Sequence, residues 1–130
     1  MLANLQFIGV IHSPLKNIED CPLQEKEDAP AATIEVYPEF VAAAGNLEPG
    51  NEIWLLTWLH MADRNTLTCV PRRDYGSPQL GVFSTRSPDR PNPIGLHRVK
   101  IVDVSKNGVI TVASLEALDQ TPVIDIKPVI

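Results

Sequence analysis

The sequence predicts a mainly β protein, an antiparallel β-barrel, closed or nearly closed, with one short helix and long proline-rich loops. Three observations carry that expectation. About seven or eight short apolar or alternating runs follow one another with turn signals between them, the pattern of hairpin-linked strands. Twelve prolines in 130 residues, about twice the usual share of ~5%, favour strands and fixed loops over long helices. The Asn107-Gly108 step between two apolar runs is a strong hairpin signal, because both residues tolerate the positive φ that a tight turn requires.

Taken in order, Phe7–His12 is a short run bounded by Pro14 and reads as a strand with apolar side chains on both faces. Ser13–Ala32 is polar, acidic and broken by Pro14, Pro22 and Pro30, a long loop of the kind that often carries function. Ala31–Tyr37 puts Ile34 and Val36 on one face and Glu35 on the other, a strand. Pro38–Ala44, closed by Gly45, has proline in its first turn and glycine past its end, so it predicts roughly two helical turns. Glu52–His60 carries the clearest strand signal, with Trp54, Leu56, Trp58 and His60 on one face and Ile53, Leu55, Thr57 and Leu59 on the other. Thr66–Val70 can pair back onto it through the Met61–Asn65 turn, and a polar loop with Arg72, Arg73 and Tyr75 follows. Gly81–Ser84 reads as a short strand. Leu96–Ser105 and Val109–Leu115 form the hairpin around Lys106-Asn107-Gly108. Thr121–Lys127 alternates Ile124 and Ile126 against Asp125 and Lys127, a half-buried strand. Trp54, Trp58, Ile101 and Ile124 are expected in buried surface.

The chain is one domain, residues 1–130, large enough for a single core. No apolar run approaches the ~20 residues of a membrane span and no leader pattern opens the chain, which points to a cytoplasmic protein. Cys21 and Cys69 lack metal or redox spacing and read as free thiols. Neither a G-x-G-x-x-G nor a P-loop pattern occurs. His12, His60 and His97 are scattered, so no metal site is expected, and no G-x-S-x-G nucleophile elbow is present.

Chemistry concentrates in Gly81–Leu96, GVFSTRSPDRPNPIGL. Pro88, Pro91 and Pro93 each fix φ and restrict the residue before them, so the segment is a stiff loop carrying Arg86 and Arg90. A loop ordered in advance loses less entropy on binding, and a guanidinium fork suits carboxylate or phosphate. The net charge of −5 opposes general nucleic-acid affinity. Acidic residues gather early, at Glu19, Asp20, Glu25, Glu27 and Asp28, while Arg72, Arg73, Arg86, Arg90, His97, Arg98 and Lys100 gather later, which allows one basic face.

TRSPDRPNPIGL at Thr85–Leu96 resembles the signature of the TsaA-like family, S-adenosylmethionine (SAM)-dependent methyltransferases built on a β-barrel. FIGVIHSP at Phe7–Pro14, EIWLLTWLH at Glu52–His60 and LDQTPVIDIKP at Leu118–Pro128 resemble its opening, central and closing segments in the same order. The resemblance implies methylation of threonylcarbamoyladenosine beside the anticodon of tRNA, and a homodimer with SAM near its interface. It further implies SAM contacts from Pro22-Leu23-Gln24, His60-Met61, Arg86, Leu96 and the closing turn Asp119-Gln120-Thr121-Pro122. Arg90 and Asn92, in the same loop, are candidates for substrate contact. The chain departs from the family pattern where Gln120 replaces a glycine and Val129 a tyrosine. Losing the glycine removes easy access to positive φ.

A sulfonium is already an activated donor, so in-line alignment of the acceptor supplies much of the catalysis and no catalytic residue is singled out. If the acceptor nitrogen must lose a proton, Asp119, Asp125 and His60 are the candidate bases, with Asp125 equally placed as a partner of Lys127 or Arg90. Two other readings stay open. One is a methyltransferase of the same fold acting on a small molecule. The other is a non-catalytic SAM- or RNA-binding module, against which the aromatic content of 5% speaks.

Overall fold

A computed structural model describes residues 1–17, 19, 29–70, 76 and 78–130. Six strands close into an antiparallel barrel in the order β1-β2-β7-β6-β3-β8. They are β1 (Gly9–His12), β2 (Ala32–Val36), β3 (Glu52–Trp58), β6 (Ile94–Val104), β7 (Val109–Val112) and β8 (Pro122–Pro128). β4 (Thr68–Cys69) and β5 (Leu80–Gly81) form a separate two-stranded ribbon. The predicted class holds, because alternation decides it. Ile11, Ile34, Ile53, Leu55, Val99, Ile101, Ile110, Val112 and Val123 all point inward and are buried, and period-2 spacing permits that only from one face of each strand.

Several local expectations are corrected. β1 starts at Gly9, with Phe7 exposed before it, and it buries one face rather than both. Thr66–Val70 does not pair with β3: Thr68 and Cys69 pair with Gly81 and Leu80 instead. Gly81–Ser84 is mostly a turn of 3-10 helix, Val82–Ser84, and not a strand. The helix over Pro38–Ala44 is also 3-10, with Tyr37 offering no side-chain cap. β6 begins two residues earlier than expected, at Ile94, which pairs with Trp58. Ile101 is fully in the core, whereas Trp54, Trp58 and Ile124 are half-buried on the outer side. A bulge in the β3–β8 pairing at Leu56/Thr57 sets Thr57 against Val123 and Leu56 against Asp125. That shift lets both Val123 and Ile126 pack on the core, against the simple alternation read for this strand.

Antiparallel order fixes which loops share an end. At one end lie the ends of β1, β3 and β7 and the starts of β2, β6 and β8. At the other, Phe40, Val41 and Leu47 pack against the core from the 3-10 helix and the turn after it. β7 and β8 stand on opposite sides of the six-stranded ring. The connector 113–121 therefore crosses the first end as a strap, dropping Leu115 and Ala117 into the core.

Candidate functional site

The strap end of the barrel gathers the predicted site. His60 and Met61 form the turn after β3, Arg86 and Asn92 lie in the loop before β6, Leu96 is in β6, and Asp119-Gln120-Thr121-Pro122 leads from the strap into β8. Pro22, Leu23 and Gln24, three of the predicted cofactor contacts, lie outside the described residues, as do Cys21, Arg72, Arg73 and Tyr75.

The proline-rich loop holds its shape through Arg90. Its Nη1 donates to Thr85 O (3.1 Å) and Ser87 O (2.9 Å), and its Nη2 to Val82 O (2.8 Å). Thr85 Oγ1 accepts from Ser87 N (3.2 Å) and Ser87 Oγ from Asp89 N (3.2 Å). With its fork spread over three carbonyls, Arg90 acts as the loop's internal brace. Arg86 is exposed and makes one long contact, Nη2 to Leu96 O at 3.4 Å, which leaves most of its donors toward solvent. The loop thus brings Arg86 and Leu96 together and turns Arg90 inward.

Arg64, which the sequence reading did not single out, organises the neighbouring groove. Its guanidinium stacks over Trp58, 5.0 Å from the ring centroid. Nε donates to Pro91 O (2.8 Å) and Nη2 to Asn92 Oδ1 (3.1 Å). Trp58, Arg64, Asn92 and Ile94, with Ala3–Leu5 along the rim, line an open groove of about 670 Å³. Only the short turn after two strand tryptophans could have signalled Arg64, since a cation a few residues on can fold back over the last ring.

The closing turn is docked on the end of β1. Asp119 Oδ1 accepts from Ser13 N (2.8 Å), Asp119 Oδ2 meets Lys16 Nζ (2.9 Å), and Asp119 N donates to Leu15 O (2.7 Å). The Lys16 ammonium, with the Ser13 N–H, holds the Asp119 carboxyl below its ordinary value. Gln120 takes φ +70°, the conformation the absent glycine would adopt freely. Its N–H donates to Ile11 O (2.7 Å), and its side-chain Nε2 lies 3.3 Å from His12 Nδ1. Thr121 is buried, with Oγ1 donating to Leu118 O at 2.6 Å. Asp125 pairs with Lys127 (3.2 Å), the structural alternative for that residue.

Beneath the strap lies a buried polar bridge that the sequence reading did not assemble. Thr57 Oγ1 and His97 Nε2 are 2.8 Å apart, and His97 Nδ1 is hydrogen-bonded to Glu116 Oε1. Among the described residues no cluster of His, Cys, Asp and Glu could hold a metal ion.

On the outer side of the same end, Trp58 pairs with Ile94 and Leu56 with Leu96. Ile94 and Leu96 keep 43% and 40% of their surface exposed, and Met61 and Phe83 keep 64% and 82%.

Comparison with known proteins places this geometry. The family model of the tRNA-methyltransferase O N-terminal domain matches residues 10–130. A protein of Methanothermobacter thermautotrophicus named "Probable S-adenosyl-L-methionine-binding protein" is 43% identical over 121 residues, 93% of this chain and 85% of its own length. An Archaeoglobus fulgidus protein named "S-adenosyl-L-methionine-binding protein" is 41% identical over 123 residues, 95% of this chain and 86% of its own length. The crystal structure of TrmO from Pseudomonas aeruginosa is similar with a TM-score of 0.78 and 34% identity, over 100% of this chain and 57% of that one. This chain therefore spans a little over half of that structure.

Proposed function

Since the chain belongs to the family of the tRNA-methyltransferase O N-terminal domain, we propose that it binds SAM at the strap end of the barrel and methylates tRNA. The acceptor in this reading is the carbamoylated nitrogen of threonylcarbamoyladenosine beside the anticodon. The observation that carries it is the convergence of chain-distant segments on one end: the β3 turn at His60-Met61, the braced loop with Arg86, Leu96, and the docked turn 119–122.

The residues present suit the cofactor chemically. Its carboxylate needs a cation, which Arg86 can supply; its adenine needs an apolar slot with backbone polar groups; its sulfonium tolerates carbonyl oxygens. Transfer moves the methyl from sulfur to nitrogen, leaves S-adenosylhomocysteine, and sends the acceptor's proton to a base or to water. Arg64, stacked on Trp58 beside Asn92, offers a planar cation and an amide at the adjoining groove, a surface that favours a nucleobase and its phosphates. Asn92 remains a substrate candidate there, whereas Arg90's three carbonyl bonds favour a scaffolding role.

The outward apolar surface of Leu56, Trp58, Ile94 and Leu96 supports a homodimer with SAM near the interface. Among the described residues no helix is long and apolar enough to cross a membrane, and work on tRNA belongs in the cytoplasm. The acidic net charge of −5 favours the second reading, a small-molecule acceptor on the same SAM site. Mass-spectrometric nucleoside analysis of tRNA from cells lacking the protein decides between them. Loss of the methylated nucleoside supports the tRNA reading, and an unchanged level with SAM binding intact leaves the small-molecule one.

A further inference from the structure

Three segments meet inside the strap end through side chains that no step of methyl transfer requires. Thr57 comes from β3, His97 from β6, and Glu116 from the middle of the strap. Thr57 is fully buried, and the His97 and Glu116 side chains are more than nine-tenths buried. Among the described residues Glu116 Oε2 is buried without a hydrogen-bond partner. A carboxylate bonded on one side only is a costly way to fill an interior, and well-packed apolar groups of similar volume usually do as well or better for stability. Such a bridge therefore calls for a reason other than stability.

Its position supplies one. The strap is tied at its far end to β1 by backbone bonds, Asp119 N to Leu15 O and Gln120 N to Ile11 O. Leu115 and Ala117, on either side of Glu116, make non-directional apolar contacts, and the backbone bonds of the strap's first half, Ala113 N to Lys100 O and Leu115 N to Pro30 O, stop before Glu116. The Glu116–His97 bond is directional, and Thr57 fixes the far nitrogen of the same ring. His97 directly follows Leu96, whose carbonyl meets Arg86, while Glu116 shortly precedes the turn 119–122. One buried chain of bonds thus spans two parts of the proposed site that arrive from different strands.

We propose that Thr57, His97 and Glu116 are positioning residues that fix the strap, and with it Asp119–Pro122, relative to Leu96 and Arg86. The claim about the strap stands on its own geometry; its bearing on the cofactor rests on the SAM reading above.

The test uses an all-apolar replacement, the triple variant Thr57→Val, His97→Leu, Glu116→Leu. It removes every buried polar group of the bridge at similar volume, so its melting temperature should stay within a few degrees of wild type. Amide hydrogen exchange on the ligand-free protein should then show the strap protons of Asp119 and Gln120 exchanging on the order of ten times faster, with barrel strands unchanged. SAM affinity by calorimetry should fall on the order of tenfold. A stable triple variant with wild-type strap exchange overturns the proposal, whereas one with faster exchange but unchanged SAM affinity supports the strap claim and overturns its bearing on the cofactor. If the triple variant fails to fold, Thr57→Val and Thr57→Ser replace it: the first should loosen the strap and the second, which keeps the hydroxyl, should restore it, whereas equal behaviour overturns the proposal. A wild-type protein that binds no SAM removes the SAM reading, and the exchange comparison still rules on the bridge.

Discussion

Arg90 Nη2 donates to Val82 O at 2.8 Å, tying the middle of the proline-rich loop to the 3-10 turn that opens it. Among the described residues Arg86, in the same loop, has only the long contact to Leu96 O. The two arginines should therefore fail differently. Arg90→Ala removes three charge-assisted bonds to carbonyls that are half-buried, a loss of about 1–3 kcal/mol after solvent screening, read as a melting temperature lower by several degrees. Arg90→Lys should not restore it, because one ammonium cannot spread over three carbonyls as a fork does. Arg86→Ala should leave melting within about ±0.5 kcal/mol of wild type and weaken SAM binding on the order of ten- to a hundredfold. Unchanged affinity in Arg86→Ala would remove Arg86 from the cofactor site.

Gln120 holds a left-handed conformation at φ +70°, which costs an L-residue roughly 1–2 kcal/mol. Its side chain returns little of that through two long, exposed contacts, 3.3 Å to His12 Nδ1 and 3.4 Å to Asp119 Oδ2. Gln120→Gly should thus be neutral or stabilising by up to about 1 kcal/mol, while Gln120→Val, β-branched at a positive φ, should destabilise. Urea denaturation midpoints check both. A clear loss in the glycine variant would mean that the side-chain contacts, and not the backbone, hold the turn.

The barrel was legible because inward positions alternate with outward ones wherever strands are longest, as in Glu52–Trp58 and Ile94–Val104. The pairing of Thr68-Cys69 with Leu80-Gly81 was not, since two-residue strands carry no period and proximity in sequence favoured β3. Motif resemblance named Pro22-Leu23-Gln24, which lie outside the described residues, and His60, Met61, Arg86, Leu96 and the 119–122 turn, which strand polarity brings to one end. The bridge of Thr57, His97 and Glu116 lay hidden for a physical reason. The three share no motif or spacing, and their meeting depends on the strap crossing from β7 to β8, a relation of ring order that local pattern does not contain.

Asp119 gives a pH dependence with a definite sign. Its carboxyl is held below the ordinary value first by Lys16 and then by the Ser13 N–H. A depressed carboxylate stabilises the fold fully above the unfolded pKa of about 3.9 and loses that contribution as pH falls through the lower native value. Wild-type melting temperature should thus decline below about pH 4. Asp119→Asn should lower it at neutral pH and flatten that decline. Parallel pH curves for the two proteins would show that the Lys16–Asp119 pair contributes nothing to folding.

Gly95 tests how tightly the interior of the strap end is filled. It sits in β6 opposite Thr57, and a Cβ there would fall on Thr57 Oγ1, 2.7 Å from His97 Nε2 and 3.1 Å from Leu59 Cδ2. Leu59 can give by a few tenths of an ångström. Thr57 is stiff at χ1 and bonded to His97, so it cannot turn away without breaking the bridge. Gly95→Ala should therefore cost overpacking of about 1–3 kcal/mol plus part of a buried hydrogen bond. Gly81→Ala is the control: among the described residues nothing lies within 4 Å of its Cβ, and its φ is −59°, so it should be neutral or slightly stabilising. Adding Thr57→Ala to Gly95→Ala removes the atom that the new methyl meets. The double variant should then cost less than the sum of the single ones, a coupling of at least about 0.5 kcal/mol by urea denaturation. Strict additivity would mean that the backbone of β6, not Thr57, absorbs the methyl, and that the interior around the bridge is looser than its distances indicate.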